Sequence, residues 1–351
     1  MYESYYGLKE KPFSLTPDPE FLYLNEGFRG ALDCAIYGIQ RQEGFTTIVG
    51  DVGTGKTTFC RALLGKLNQS IRTALILNPL LNEEEILKAV LQDFGVKPSH
   101  HQPAPDVATR ELPYDPSWMQ GLTKKELIDE LNCFLLEGAE RGEFSLIIID
   151  EAQDLSMGVL EQLRILSNLE TAKKKLLQFI LVGQLELAQK LRLPGLRQLN
   201  QRITIRYALK PLSKQDMVQY IDHRLSVAGS KKRVGFTNGA LRSIYSNSKG
   251  YPRLINIICD RSLLAGYSQR TRLVTGSMVR SAARGIRWKR QRIKIRFVGS
   301  KKLIVPIAAL LALALLAALF FWIRHGSLPD LSANFSRALS WSSLALANLR
   351  R

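Results

Sequence analysis

The sequence is sparing with cysteine: the four it has, Cys34, Cys60, Cys133 and Cys259, lie far apart and form no CxxC pair. That excludes a disulfide framework and predicts reduced core thiols in a cytosolic body. The opening MYESYYGLKEKPF lacks the positive region followed by an apolar run that a secretory signal needs, so export of the body by that route is not expected. No repeat of roughly 20 to 50 residues recurs, which argues against a solenoid. Acid is missing from one long stretch, since no Asp or Glu occurs between Arg261 and Pro329.

The last absence explains the overall charge of +18. Residues 1 to 260 carry 32 basic and 30 acidic side chains, a net of +2, while Arg261 to Lys302 carries 13 Lys or Arg and no acid. The body is near neutral and one segment is basic. That segment abuts LIVPIAALLALALLAALFFWI (303 to 323), 21 consecutive uncharged residues. At 1.5 Å per residue this suffices for about 30 Å of hydrocarbon and predicts one transmembrane helix, with Pro306 in its first turn. Ten Lys or Arg between Arg280 and Lys302, against Arg324 and His325 beyond, place residues 1 to 302 in the cytoplasm by the positive-inside rule. The tail 324 to 351 would then face outward, as an amphipathic surface helix or a disordered end.

Upstream, short apolar runs alternate with helical patterns: FTTIVG (45 to 50), TALILN (73 to 78), SLIIID (145 to 150), LLQFILVG (176 to 183) and ITIRYAL (203 to 209). Such a series predicts an α/β fold with a parallel sheet and helices on both faces. Asn82 and Glu85 form a capping box opening the helix NEEEILKAVLQDF. The Pro-rich stretch 97 to 123 reads as a loop or insertion, either a binding element or disordered. From Leu212 to about Arg284 only helical patterns appear, predicting a small helical domain.

The strongest chemical signal is Gly50-Asp51-Val52-Gly53-Thr54-Gly55-Lys56-Thr57, a complete Walker A motif, GxxxxGK[ST], placed between a strand and the helix KTTFCRALLGKL. Glycines let backbone N–H groups wrap a phosphate chain, Lys56 neutralises β/γ charge, and the Thr57 hydroxyl ligates Mg²⁺. Thr58 extends the nucleotide-binding set into the helix. The run LIIIDEAQ (146 to 153) supplies the Walker B half: Asp150 would hold Mg²⁺ through water and Glu151 would activate the attacking water. The cofactors expected are therefore ATP and Mg²⁺, and the reaction is hydrolysis.

With these motifs the chain resembles the ExeA/GspA-type AAA+ ATPases of bacterial general secretion, pilus and exopolysaccharide-export loci. The resemblance runs from Tyr6 to about Ala283 and rests also on YGLKEKPFSLTPDPEFLYLN, YGI (37 to 39), IIIDEAQDLS, LEQLRILSNLET, LLQFILVGQLEL, LNQRITIRYALKPL and GYPRLINIICDRSLL. It implies a segment 1 to 44 leading into a P-loop AAA+ core (45 to 211), a helical lid (212 to 284) and a basic juxtamembrane segment (285 to 302) before the membrane helix. It implies that Gln184 is the sensor 1 residue, that Arg253 is the sensor 2 arginine, and that Arg202 or Arg197 is an arginine finger for a neighbouring subunit. Tyr37 to Ile39 would wall the adenine pocket or serve as core packing. A homo-oligomer at the inner membrane and export-system proteins as partners are further implications. Longer members carry a peptidoglycan-binding domain after the membrane helix, and the tail here gives no reason to expect one. The alternatives are a nucleotide-gated scaffold and a DNA-binding ATPase using RGIRWKRQRIKIR (284 to 296); nucleic acid is not expected as a partner, because membrane flanks are basic for topological and lipid reasons.

Overall fold

The computed structural model describes residues 2–16, 18–68, 70–77, 79–97, 116–171, 175–230 and 234–285. Met1–Arg287 forms one compact unit. The expected membrane helix, most of the basic segment before it and the tail lie outside the described residues. Among the described residues no helix is long and apolar enough to cross a membrane.

Five strands, β1 (Phe45–Gly50), β2 (Ile71–Ile76), β3 (Phe144–Ile149), β4 (Leu177–Gly183) and β5 (Ile203–Leu209), pair in parallel in the order β2-β3-β4-β1-β5. All five expected strands are present, the second running two residues earlier than its apolar pattern suggests. Burial on both faces explains why β1, β3 and β4 read as continuous apolar runs, while the edge strands β2 and β5 are only partly covered. Ile147 and Ile149 point to one side, where they meet α4 (Glu83–Phe94), α5 (Lys124–Glu140) and α6 (Met157–Leu166). Leu146 and Ile148 point to the other, against α2 (Glu26–Gln40) and α3 (Lys56–Leu64). This alternation follows from the two-residue period of a strand.

Side-chain caps fix the starts of α4 and α5. Asn82 Oδ1 accepts from the N–H groups of Glu84 and Glu85, and Glu85 returns a carboxylate to the Asn82 N–H at 2.8 Å. Thr123 and Glu126 form the same reciprocal box at α5. The end of the Pro-rich stretch is thus more ordered than its composition suggests. Pro116–Met119 makes a 3-10 turn, Met119 is buried in the sheet's core, and Trp118 packs beside it. Residues 98–115 lie outside the described residues.

A third core gathers α9 (Lys214–Val227), α10 (Asn238–Ser248), α11 (Pro252–Ser268) and α12 (Gly276–Arg284). Two elements come from elsewhere. The first segment, α1 (Tyr2–Tyr6) with Leu8, Phe13 and Phe21, packs into this helical core, and the Tyr6 hydroxyl donates to the Leu263 carbonyl at 3.0 Å. Two short strands, β6 (Gly235–Phe236) and β7 (Leu273–Val274), pair in parallel where only helix was expected. Two residues are too few for an alternating pattern to register in sequence. Two further short helices, α7 (Leu185–Lys190) and α8 (Arg197–Arg202), connect β4 to β5, and Leu187 and Leu199 join the sheet's core on the side of α6.

The cysteines are all free thiols, but not all in the core. Cys60 and Cys259 are fully buried, and burial raises both thiols well above their ordinary range. Cys34 is half-buried. Cys133 is exposed, because α5 buries Leu127, Leu131 and Leu135 at four-residue spacing and turns Cys133 outward.

Candidate functional site

In a parallel sheet every strand ends on the same side, and loops leaving those ends converge on one crevice. Here β4 lies between β1 and β3. Whatever follows β4 is therefore held between the Gly-rich loop after β1 and the acidic pair after β3.

The loop Gly50–Thr57 curls over the start of α3. Gly53 and Gly55 have φ of 81° and 101°, a region closed to most side chains, and Gly55 caps α3 without a side-chain bond. The first-turn N–H groups of α3 therefore face the loop's interior, where an anion would sit. Lys56 is buried, its ammonium donating to the carbonyls of Gly50 at 3.2 Å and Asp51 at 3.4 Å. Its charge is thus satisfied by the loop's own backbone.

Thr57 follows, and its Oγ1 donates to Asp150 Oδ2 at 2.7 Å. Asp150 is 2% exposed, and its Oδ1 accepts from the Glu151 N–H. Glu151 sits at φ 50°, ψ 36°, a left-handed conformation uncommon for a carboxylate residue and the kind of strain that collects at functional sites. Its carboxylate accepts from two amides, Gln153 at 2.9 Å and Gln184 at 3.3 Å. Thr57, Asp150, Glu151 and Gln184, far apart in the chain, thus form one hydrogen-bonded row at the strand ends.

A hydroxyl and a buried carboxylate in contact form a hard oxygen pair that fits Mg²⁺. Among the described residues no group of three or more His, Cys, Asp or Glu could hold a metal alone. A cation here would take its remaining ligands from phosphate oxygens and water.

Beside the loop is a cavity of about 330 Å³. Gly53, Thr54, Gly55 and Thr58 line its phosphate end. Its other walls are Ser14 to Thr16, Phe21 to Tyr23, Asn25 and Phe28 from the N-terminal side, and Tyr220, Arg224, Pro252, Arg253 and Asn256 from the helical body. Arg253 lies against the loop: its N–H donates to the Gly53 carbonyl at 3.4 Å, and a Cβ on Gly53 would stand 3.0 Å from Arg253 Cβ. Asp51 and Val52 sit at the loop's outer bend, where the Tyr251 hydroxyl donates to Asp51 Oδ2 at 2.6 Å. The helical body is thus tied to the phosphate loop at two neighbouring points.

Of the two readings of Tyr37 to Ile39, the cavity wall is set aside, and Arg202 and Arg197 lie elsewhere. Tyr37 to Ile39 do not line this cavity: Tyr37 is 53% exposed, Gly38 rests against Thr46 and Ile205, and Ile39 is buried in the core. The wall comes from the segment ahead of α2 and from that helix's first turn. Arg202 lies outside the chain's own crevice, its guanidinium donating to the Arg164 carbonyl at 3.3 Å and Ser167 Oγ at 2.5 Å, at the end of α6. Arg197 is exposed at the start of α8.

Sequence reasoning also missed the helical body's grip on the N-terminal segment. Arg224, buried, donates to the carbonyls of Pro12 and Ser14, and Asn256 donates to Ser14 as well. Phe21 lies under the Arg224 guanidinium at 4.8 Å. The aromatic residues of the 6-to-25 segment were the available signal, but backbone carbonyls as partners leave no trace in a sequence.

A parallel sheet in this order, a phosphate loop after β1, an acidic pair after β3 and a helical body over the loop define a P-loop ATPase of the AAA class. Residues 39–191 match the family described as AAA domain. Within that class the chain is similar to General secretion pathway protein A of Aeromonas hydrophila, 46% identical over 269 residues that cover 77% of this chain and 45% of that protein. The chain therefore spans under half the length of this curated relative. Similar solved structures include the ADP form of the ORC2 protein of Aeropyrum pernix, with TM-score 0.57, 14% identity, and coverage of 79% of this chain and 73% of that one. Another is Cdc6p of Pyrobaculum aerophilum, with TM-score 0.55, 18% identity, and coverage of 78% and 70%. At such identities the likeness shows the fold alone.

Proposed function

We propose that this protein is a membrane-anchored ATPase that spends ATP, with Mg²⁺, to assemble or energise a bacterial envelope secretion or export system. The observation that carries the catalytic part is the Thr57 to Asp150 contact at 2.7 Å, continued directly into Glu151, beside a complete phosphate loop. Lys56 would leave the Gly50 and Asp51 carbonyls for the β/γ-phosphates. Thr57 and Asp150 would hold Mg²⁺, which when bound neutralises phosphate charge. Glu151 would orient or deprotonate the attacking water, Gln184 would meet the γ-phosphate, and Arg253 would reach the phosphates from the helical side.

The export role is supported by the 46% identity to General secretion pathway protein A. Anchoring in the inner membrane, with the ATPase unit on the cytoplasmic side, is supported by the 21-residue apolar run at 303 to 323 and the basic residues before it. Assembly into a homo-oligomer is part of the same reading: Arg202 or Arg197 would serve a neighbouring subunit's ATP, since neither lies in the chain's own cavity. The test is Mg²⁺-dependent ATPase activity of detergent-purified full-length protein against its concentration, with Arg202→Ala and Arg197→Ala alongside. Specific activity that rises with concentration, and falls at least about tenfold in one arginine variant, is expected. Concentration-independent activity in both variants would sink the shared-site reading, and recovery of the full chain in the soluble fraction would sink the anchored one.

A further inference from the structure

The row of catalytic groups contains one side chain with no assigned role, Gln153. Its Nε2 donates to Glu151 Oε2 at 2.9 Å and to Asp154 Oδ2 at 3.0 Å, while its Oε1 accepts from the Gln184 N–H at 2.8 Å. These three partners agree on one orientation of the amide, because a flipped side chain would turn its oxygen toward two carboxylates and its NH₂ toward an N–H. Gln153 therefore touches both the residue proposed to activate water and the backbone of the residue proposed to meet the γ-phosphate.

Its surroundings hold it in that place. Gln153 belongs to the short 3-10 turn Ala152–Asp154 after β3, and the Lys190 ammonium of α7 donates to the Gln153 carbonyl at 2.9 Å and also to the Leu155 carbonyl. The last residue of β4 makes room for the side chain: a Cβ on Gly183 would stand 2.9 Å from Gln153 Oε1 and 2.9 Å from Leu187. A larger residue at 183 would push the amide off the strand end. The same side chain thus fixes the spacing between the ends of β3 and β4, the two strands that carry Glu151 and Gln184.

From this geometry we infer that Gln153 is a positioning residue for hydrolysis, one that aims the Glu151 carboxylate and registers it against Gln184. The inference rests on the reading of Glu151 as the group that activates water. Glu151 is held by two amide donors, Gln153 and Gln184. When Gln184 turns to a γ-phosphate, Gln153 is the donor that remains and keeps the carboxylate aimed at the attacking water. Nucleotide binding itself uses the loop and the cavity, neither of which includes Gln153.

The experiment uses full-length protein carrying Gln153→Glu or Gln153→Ala, with Glu151→Gln as reference. Gln153→Glu keeps the side chain's length and its acceptor oxygen but removes the donor, so it tests donation without opening a void. The expected result is a kcat lower by about 10- to 100-fold in both variants, with Kd for the non-hydrolysable analogue AMP-PNP, in the presence of Mg²⁺, within about twofold of wild type. Unchanged kcat, or a Kd that weakens in step with the lost turnover, would overturn the inference. A Glu151→Gln variant as active as wild type would instead remove the reading beneath it, and the inference with it.

Discussion

The two ends of the nucleotide cavity are built by different means. The phosphate end is local: eight consecutive residues, Gly50 to Thr57, make the loop, and Asp150 and Glu151 are adjacent at the end of β3. The opposite end is assembled from segments some two hundred residues apart, with Ser14 to Phe28 on one side and Tyr220, Arg224 and Asn256 on the other. Charge and backbone conformation dictate the first, and packing dictates the second. Phosphate recognition demands particular atoms at particular places, so it compresses into a motif. A largely apolar wall can be built from many residue combinations, so it does not.

This contrast can be broken at the joint between the two ends. Gly250 has φ 83°, and a Cβ there would stand 2.1 Å from the Leu212 carbonyl oxygen, in the turn that brings Tyr251 and Arg253 to the loop. Gly250→Ala is expected to destabilise the fold by about 3 kcal/mol or more, read from chemical denaturation. A variant as stable as wild type would mean that the turn relaxes freely.

Arg224→Met should show the distal end alone. Losing a buried guanidinium that holds Pro12 and Ser14 is expected to cost about 2 to 3 kcal/mol of stability. It should raise KM for ATP while leaving kcat at saturation close to wild type. A loss of kcat with KM unchanged would show that the two ends are not separable in this way.

Tyr251→Phe removes only the hydroxyl that donates to Asp51 at 2.6 Å. An effect of about 1 kcal/mol is expected, seen as a few-fold change in nucleotide Kd with the fold intact. No change in Kd would make this contact incidental.

A further effect is confined to alkaline pH. Burial pushes the Tyr6 phenol up to about 12 from its usual 10. The native state therefore keeps a proton that the unfolded chain releases, so this contribution is complete below pH 10 and lost as pH rises toward 12. Tyr6→Phe should flatten the stability profile across that window.

The same division explains what the sequence made legible. The three inner strands β1, β3 and β4 were readable because they are buried on both faces, the edge strands β2 and β5 because apolar and β-branched residues still dominate them, and Asn82 with Glu85 announced the start of α4. The loop, Asp150 and Glu151 were readable because their chemistry forces residue type and spacing, whereas Gln184 was singled out only by the family resemblance. Leu273 and Val274 were not, since a two-residue strand has no period. Trp118 and Met119 were hidden in a stretch whose prolines dominate its composition. Sequence alone leaves Tyr37 to Ile39 as cavity wall or core packing, because a helical Tyr-Gly-Ile looks the same whether it faces a ligand or a sheet. Arg224 escaped notice because its partners are main-chain carbonyls.

The central claim is that one end of this cavity holds phosphate and the row beside it performs hydrolysis. The most direct test compares Lys56→Ala and Glu151→Gln for Mg²⁺-dependent ATP binding and turnover. The account predicts that Lys56→Ala loses both, whereas Glu151→Gln binds ATP as wild type does and turns over at least about a hundredfold more slowly. Loss of binding in Glu151→Gln, or turnover that survives Lys56→Ala, would contradict it.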